Sequence, residues 1–444
     1  MSASAAQLTS SSTAGAVAAA APDGMKAWSV AAGAFIVGFV TMGLMYTQGI
    51  FVEPLLVEFG QSLSTTSLVV TMPLAGFYGT GLFAVPMAQR FGIRRFVFVG
   101  GVIWTIGCLV GSASIDVGMS IVFQGVLTGV GAGMTFWVSF AILPAWFHKY
   151  RAMGIGIGIM GSGVGSVVIS IGGGQLLSSV GWRRTLQIFG AVGGGLLIVA
   201  VMLIDQRVAP PRQAGMYAQT FRLLKVPSYQ LFVCCFFCFQ MAFFTPYTYL
   251  PHYATGLGFD STFAAFTLAM LGIGSSVGRV CFSPIADYFK VRLLLFKITM
   301  FGAALSLWLW PLCTTEPSIL ALSFFYGMFG GGFYAMFGVA AAELWGPHSV
   351  GASFPPVNLA SVPGAFGSGP IFGTIVSQSG YTSAIIYASV MLTLAFIFIA
   401  PIRFDAAVFE DLKVKNAALS PPRSNATQTA ENSEMAGPVP PLKL

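Results

Sequence analysis

Twelve apolar stretches, each near the ~20 residues a helix needs to cross a bilayer, divide this chain almost end to end. They run approximately over 27–52, 66–88, 96–114, 118–145, 152–176, 185–204, 230–252, 263–286, 293–312, 318–343, 351–378 and 383–401. In hydrocarbon, each backbone N–H and C=O must be satisfied within the protein, which restricts spanning segments of this length to helices. Charged residues are 8% of the 444, against about 25% in soluble domains, and mean hydropathy is +0.81. An all-α membrane protein follows.

Basic residues sort between alternate loops. One set holds Arg90, Arg94, Arg95, Lys149, Arg151, Arg207, Arg212, Arg222, Lys225, Lys290 and Arg292, and both ends add Lys26, Arg403, Lys413 and Lys415. The other set holds Arg183 and Arg184 beside Glu53, Glu58, Asp116, Asp260 and Glu316. The positive-inside bias predicts that both termini are cytoplasmic, most simply in a multi-pass protein of the plasma membrane. It also accounts for the net charge of +7. Basic residues dispersed over short loops make no nucleic-acid surface.

Residues 1–26 open on a Ser/Ala-rich stretch without Lys or Arg up to residue 22 and predict a disordered tail, not a signal peptide. Residues 404–444 are polar, carry Pro421, Pro422, Pro438, Pro440 and Pro441, and predict a second one. The sequon at Asn425 falls on the predicted cytoplasmic side. Cys235 and Cys238 form a CxxC with no second pair and no histidine cluster, so the cysteines read as buried thiols and no metal site is expected. Gly156-Ile-Gly158-Ile-Met-Gly161 has the GxGxxG spacing but neither the preceding strand nor the later acid of a dinucleotide site. No cofactor is expected. Gly154/Gly158, Gly161/Gly165, Gly125/Gly129/Gly133 and Gly327/Gly331 instead make small-xxx-small faces for close helix contact, whether static or sliding.

An internal repeat organises the spans. Pro86-Met-Ala-Gln-Arg-Phe-Gly-Ile-Arg94 returns as Pro284-Ile-Ala-Asp-Tyr-Phe-Lys-Val-Arg292, and Trp146-Phe-His148 is echoed by Trp345-Gly-Pro-His348. Such a repeat predicts two parallel six-helix halves with a substrate site between them near the midplane. The halves run over 27–204 and 230–403, joined by a cytoplasmic linker over 205–229.

With these residues the chain resembles the major facilitator superfamily. Arg90-Phe-Gly-Ile-Arg94-Arg95 looks like its loop signature, with Gln89 where an acid usually stands and Asp287 retained in the second copy. A closer resemblance is to the monocarboxylate porter family. It rests on Asp23-Gly24…Trp28 at the first span, Trp146-Phe147-His-Lys149-Tyr-Arg151-Ala-Met-Gly154 at the fifth, Gly278-Arg279 in the eighth and Glu343 ending the tenth. The resemblance covers about residues 23–403 and implies carriage of an organic anion, with Arg279 as substrate residue. It implies a gate on the cytoplasmic loops at Arg90, Arg94, Asp287, Arg292, Lys149, Arg151 and Glu343. Proton-coupled members usually carry an Asp one turn before that Arg and a Lys in the first span. Here these places hold Ser275, and Tyr46 and Gln48 with no buried Lys.

Arg279 is the one charge deep inside an apolar stretch, and such residues face a bundle interior or wet cavity. It either meets a substrate carboxylate or enolate, or holds carbonyls of neighbouring helices. Ser275, Tyr46, Gln48, Asn358 and Phe337 complete the candidate substrate set. Tyr78, Gln240, Tyr247 and Tyr249 add polar groups that serve a cavity or interhelical bonds. The eleventh span, with Pro355, Pro356, Pro363, Gly364 and Pro370, is either a bent gate or a structural kink.

The expected function is secondary or facilitated transport of an organic anion by alternating access, its partners being that small molecule and the bilayer. A monocarboxylate is the leading substrate. A larger, weakly acidic or vitamin-like metabolite is the alternative. An enzyme would need clustered histidines, carboxylates or a metal, a sensor an output domain, and an ATP-driven pump a GxxxxGK[ST] loop. The sequence is silent on an accessory membrane subunit.

Overall fold

A computed structural model describes residues 23–147, 150–205, 216–289, 291–346 and 350–417. The stretches 1–22 and 418–444, and the candidate Lys149, lie outside the described residues, as do the side chains of Arg151 and Asp287.

The helices are α1 Met25–Phe59, α2 Leu63–Gly81 with its bent continuation α3 Ala84–Phe91, α4 Ile93–Ser112, α5 Val117–Trp146 and α6 Arg151–Leu203. After the short α7 Met216–Leu223 come α8 Pro227–Gly256, α9 Ser261–Phe289, α10 Arg292–Leu312, α11 Glu316–Trp345, α12 Val350–Ile399 and α13 Ala406–Ala417. Nine described helices are long and apolar enough to cross a bilayer, ten if α2 and α3, meeting at 60°, count as one. At about 1.5 Å per residue, α6 and α12 are more than twice as long as a bilayer core is thick. Each breaks at a glycine of positive φ, Gly181 (φ 78°) and Gly380 (φ 79°), a conformation that costs a side chain dearly.

The two halves repeat their contacts. In the first, α1 packs on α6, α2 on α5, and α4 on α5 and α6; in the second, α8 packs on α12, α9 on α11, and α10 on α11 and α12. Between halves, α2 lies along α12, α6 along α9, and the later parts of α1 and α8 meet. Glycines let these pairs approach. A methyl added to Gly161 or Gly165 would enter the carbonyls of Phe35 or Phe39 on α1, and one on Gly129 that of Pro73. One on Gly327 or Gly331 would strike the carbonyls of Leu271 or Ser275.

The two halves also repeat how their last helix is tied. Arg94 Nε donates to Ile204 O (2.7 Å), and Arg94 Nη2 to Met202 O (3.2 Å). Lys297 Nζ donates to Ala400 O (2.8 Å) and Ile402 O (2.7 Å). A cation on the last carbonyls of a helix is favoured by its dipole and satisfies acceptors that have no intrahelical partner. Lys297 is therefore a second cation inside an apolar span, close enough to its end to reach the final turn of α12.

The two family-like signatures are one contact. Asp23 N–H donates to Trp146 O (3.1 Å), Tyr150 N–H to Asp23 Oδ1 (3.2 Å), and the Trp28 ring meets Phe147 edge-on at 5.1 Å. Where a disordered tail is expected, residues 406–417 form α13. Phe409 approaches Gly346 at the end of α11, and Leu412 is 3% exposed, so the spacing of these apolar residues gives the segment a face to bury.

Candidate functional site

Arg279 stands where α9 meets the other half. Its Nη1 donates to Ile159 O (3.2 Å) and to Ser162 Oγ on α6, and its Nη2 to Tyr46 OH on α1 (3.1 Å). The guanidinium carbon lies 6.0 Å from the Tyr46 ring centre, within cation–π range. Both readings of this residue are thus on display, since it braces two helices and also brings a cation to the seam between halves. Close approach of α6 to α9 makes this geometry attainable, with Gly163 against Ser276 and Gly272 against Ser166.

Tyr46 continues into an aromatic stack with Tyr247 (5.1 Å between centres) and Phe244 (5.8 Å). Ser275, one turn before Arg279 and 2% exposed, lies alongside Tyr247. The Tyr247 hydroxyl is buried and has no well-aligned hydrogen-bond partner among the described residues. A second polar chain crosses the halves nearby. Tyr78 OH and Tyr334 OH are 2.9 Å apart, and Tyr334 OH donates to Gln240 Oε1 (3.0 Å).

The other candidates are placed differently. Gln48 is 3% exposed and its Oε1 accepts from Gln124 Nε2 (3.3 Å) inside the first half. Asn358, also 3% exposed, lies with Trp137 over Gly81, joining α12 to α2. Phe337 packs among Phe232, Phe236 and Phe354, with centres 5.6, 4.7 and 4.8 Å away, in the core of the second half. Arg90 lies over the adjacent Phe91 ring at 5.9 Å, and Arg94 is engaged by the end of α6. Arg292 begins α10, and Glu343 has a buried Oε2 without a partner among the described residues near the end of α11. Ser162 was not among the candidates. One serine among many in an apolar span carries no signal of its own.

At the end of the bundle away from the described termini, the halves are latched. His252 Nδ1 on α8 is 2.6 Å from Glu53 Oε2 on α1. Ser64 Oγ on α2 donates to Pro370 O on α12 (2.9 Å), while Tyr249 OH holds the neighbouring Gly369 O (2.6 Å) within the second half. A side chain at Gly49 would meet the carbonyls of Tyr247 and Thr248.

Comparison with known proteins agrees with this architecture. The sequence profile of the Major Facilitator Superfamily matches residues 34–355. An MFS-type transporter of Gibberella moniliformis is 27% identical over 85% of this chain and 90% of its own length. Monocarboxylate transporter 13 of Bos taurus is 25% identical over 84% and 88%. The aspyridones efflux protein apdF of Emericella nidulans is 28% identical over 74% and 68%. Among solved structures, a D-xylose-proton symporter superposes with a TM-score of 0.69 at 18% identity, covering 84% of this chain and 97% of that one. With paired bundles, a profile match over most of the spans and relatives that are transporters, among them monocarboxylate transporters, this chain is a membrane transporter and belongs to the Major Facilitator Superfamily.

Proposed function

We propose that the chain carries an organic anion, a monocarboxylate in the leading reading, by alternating access between its halves. One observation carries this reading. Arg279, a cation in the middle of a spanning helix, lies on the seam and touches α1 and α6 of the opposite half. A guanidinium so placed recognises a carboxylate or enolate through paired, charge-assisted bonds. Breaking α6 at Gly181 and α12 at Gly380, and joining α2 to α3, gives twelve crossings. The lysine and arginine bias then puts both termini in the cytoplasm, and the plasma membrane is the simplest location. The test is exchange of labelled organic acids by the purified protein in proteoliposomes. Exchange of neutral sugars, with no organic acid competing, would overturn the anion reading.

A second reading is a larger, weakly acidic metabolite. The aromatic stack of Tyr46, Phe244 and Tyr247 beside Arg279 favours it, as does the efflux relative.

Proton coupling is expected to be weak. Ionisable groups within spans are the usual proton carriers, and here Ser275 stands one turn before Arg279 while the first span offers Tyr46 and Gln48 with no buried Lys. His252 with Glu53, and Glu343, remain at span ends. Uptake should be little changed by an imposed inward proton gradient. Strong uphill accumulation that survives both Glu53→Gln and Glu343→Gln would place coupling elsewhere.

A further inference from the structure

The seam holds more polar surface than a short acid needs. On α8, Gln240 and Tyr247 are seven residues apart, two helical turns, and so share a face about 10 Å along the axis from each other. The helix is broken between them at Phe244 (φ −82°, ψ −2°), yet Phe243 still lies near both Tyr334 and Tyr247, so the two ends stay on one side. At one end, Tyr247 stacks on Tyr46, which holds Arg279. At the other end, Gln240 is 0% exposed. Its Oε1 accepts from Tyr334, while its buried Nε2, with Tyr78 nearby, has no well-aligned partner among the described residues. Turning the amide over only changes which atom is left over. The Tyr247 hydroxyl, with Ser275 beside it, also lacks a well-aligned partner among the described residues.

A buried polar group without a well-aligned partner is costly, and the Gln240 amide, at a joint between the halves, offers a ligand a group to satisfy. Between Gln240 and Tyr247 the face is apolar and aromatic. Phe243 lies 5.2 Å from Tyr334 and 5.6 Å from Tyr247, and Phe239 lies 5.7 Å from Tyr334. Tyr78, bonded to Tyr334, comes from the first half, so this polar end also joins both halves.

Resting on the anion reading above, we infer that Gln240, positioned by Tyr334 and Tyr78, is a second polar subsite, and that the substrate is a two-ended acid. Its carboxylate or enolate lies at Arg279, an aromatic or apolar body lies over Phe243 and Phe244, and a hydroxyl or carbonyl bonds the Gln240 amide. Three-carbon acids reach only the first end. The remaining amide N–H serves a hydroxyl or a carbonyl alike, because the oxygen of either can accept.

The test is binding of a matched pair, 3-phenylpropanoate and 3-(4-hydroxyphenyl)propanoate, to the full-length protein in nanodiscs, by calorimetry. The wild type should bind the hydroxylated acid about tenfold more tightly, the effect of one well-made buried hydrogen bond. Gln240→Leu should abolish that preference while keeping affinity for the plain acid. Tyr334→Phe, which removes one oxygen and keeps the ring, should reduce the preference and decides the matter if Gln240→Leu does not fold. Arg279→Gln should weaken both acids alike. The inference is overturned if the wild type shows no preference, if neither acid binds, or if the preference survives both Gln240→Leu and Tyr334→Phe. If Arg279→Gln binds both acids normally while Gln240→Leu loses the preference, the polar subsite stands and the anion reading falls.

Discussion

Arg279→Ala is expected to cut organic-anion transport by roughly thirtyfold or more while the protein still inserts and folds. Removing one partner of a buried, hydrogen-bonded charge pair costs about 2–5 kcal/mol, and each 1.4 kcal/mol is tenfold. The structure sharpens this test, because Arg279 also bonds Ile159, Ser162 and Tyr46. A purely bracing arginine would give a protein of lowered thermal stability whose remaining folded fraction transports at the normal rate. A substrate arginine gives a folded, correctly localised protein that does not transport. Arg279→Lys separates the two further. A lysine keeps the charge but not the planar fork that serves α1 and α6 at once, so it should recover little activity. Full transport by a stable Arg279→Ala protein would remove this residue from the substrate site.

Why Arg279 was legible and Ser162 was not is a matter of contrast. A charge in hydrocarbon is conspicuous, whereas a hydroxyl on a Gly-rich span has many innocuous uses. The spans themselves were legible because hydrocarbon allows so few backbone solutions. Direction within the bundle was not. Spans that are apolar on every side show no amphipathic period, so nothing marked Gln48 as facing Gln124 inside its own half. Nothing marked Phe337 as a core ring of the second half. The repeat was legible as aligned Arg94 and Arg292, yet the cation on the last turn of α12 is Lys297, five residues further along. A four-carbon side chain can reach a carbonyl from more than one starting point, so tethering does not fix residue position. The signatures at Asp23–Trp28 and at Trp146–Tyr150 looked like two motifs. In three dimensions they form one contact, which no single-chain pattern reveals.

Gly331→Ala is expected to prevent accumulation of folded protein, a larger effect on the fold than any side-chain truncation considered above. Lipid tails are as apolar as leucine, so helices in a bilayer associate by close contact and by hydrogen bonds, not by the hydrophobic effect. Gly331 on α11 lies against the backbone of α9, and its added methyl would enter the carbonyl of Ser275. Backbone cannot turn aside as a flexible side chain can. The two helices would have to separate, along a contact that continues to Gly327 against Leu271 and to Gly278 against Met328. Overpacking a core by a methylene typically costs about 1–3 kcal/mol, and a clash with rigid backbone belongs at or beyond the upper end. The same separation would shift α9, and with it Ser275 and Arg279. The control is Gly195→Ala on the exposed side of α6, where an added methyl meets nothing within 4 Å. There alanine should be neutral or stabilising by up to about 1 kcal/mol, because it lowers the entropy lost on forming a helix. Size-exclusion profiles and thermal unfolding of both variants in detergent would decide. A monodisperse Gly331→Ala protein with unchanged unfolding temperature would show that α9 and α11 can part without loss, and that the glycine faces are not what holds these helices together.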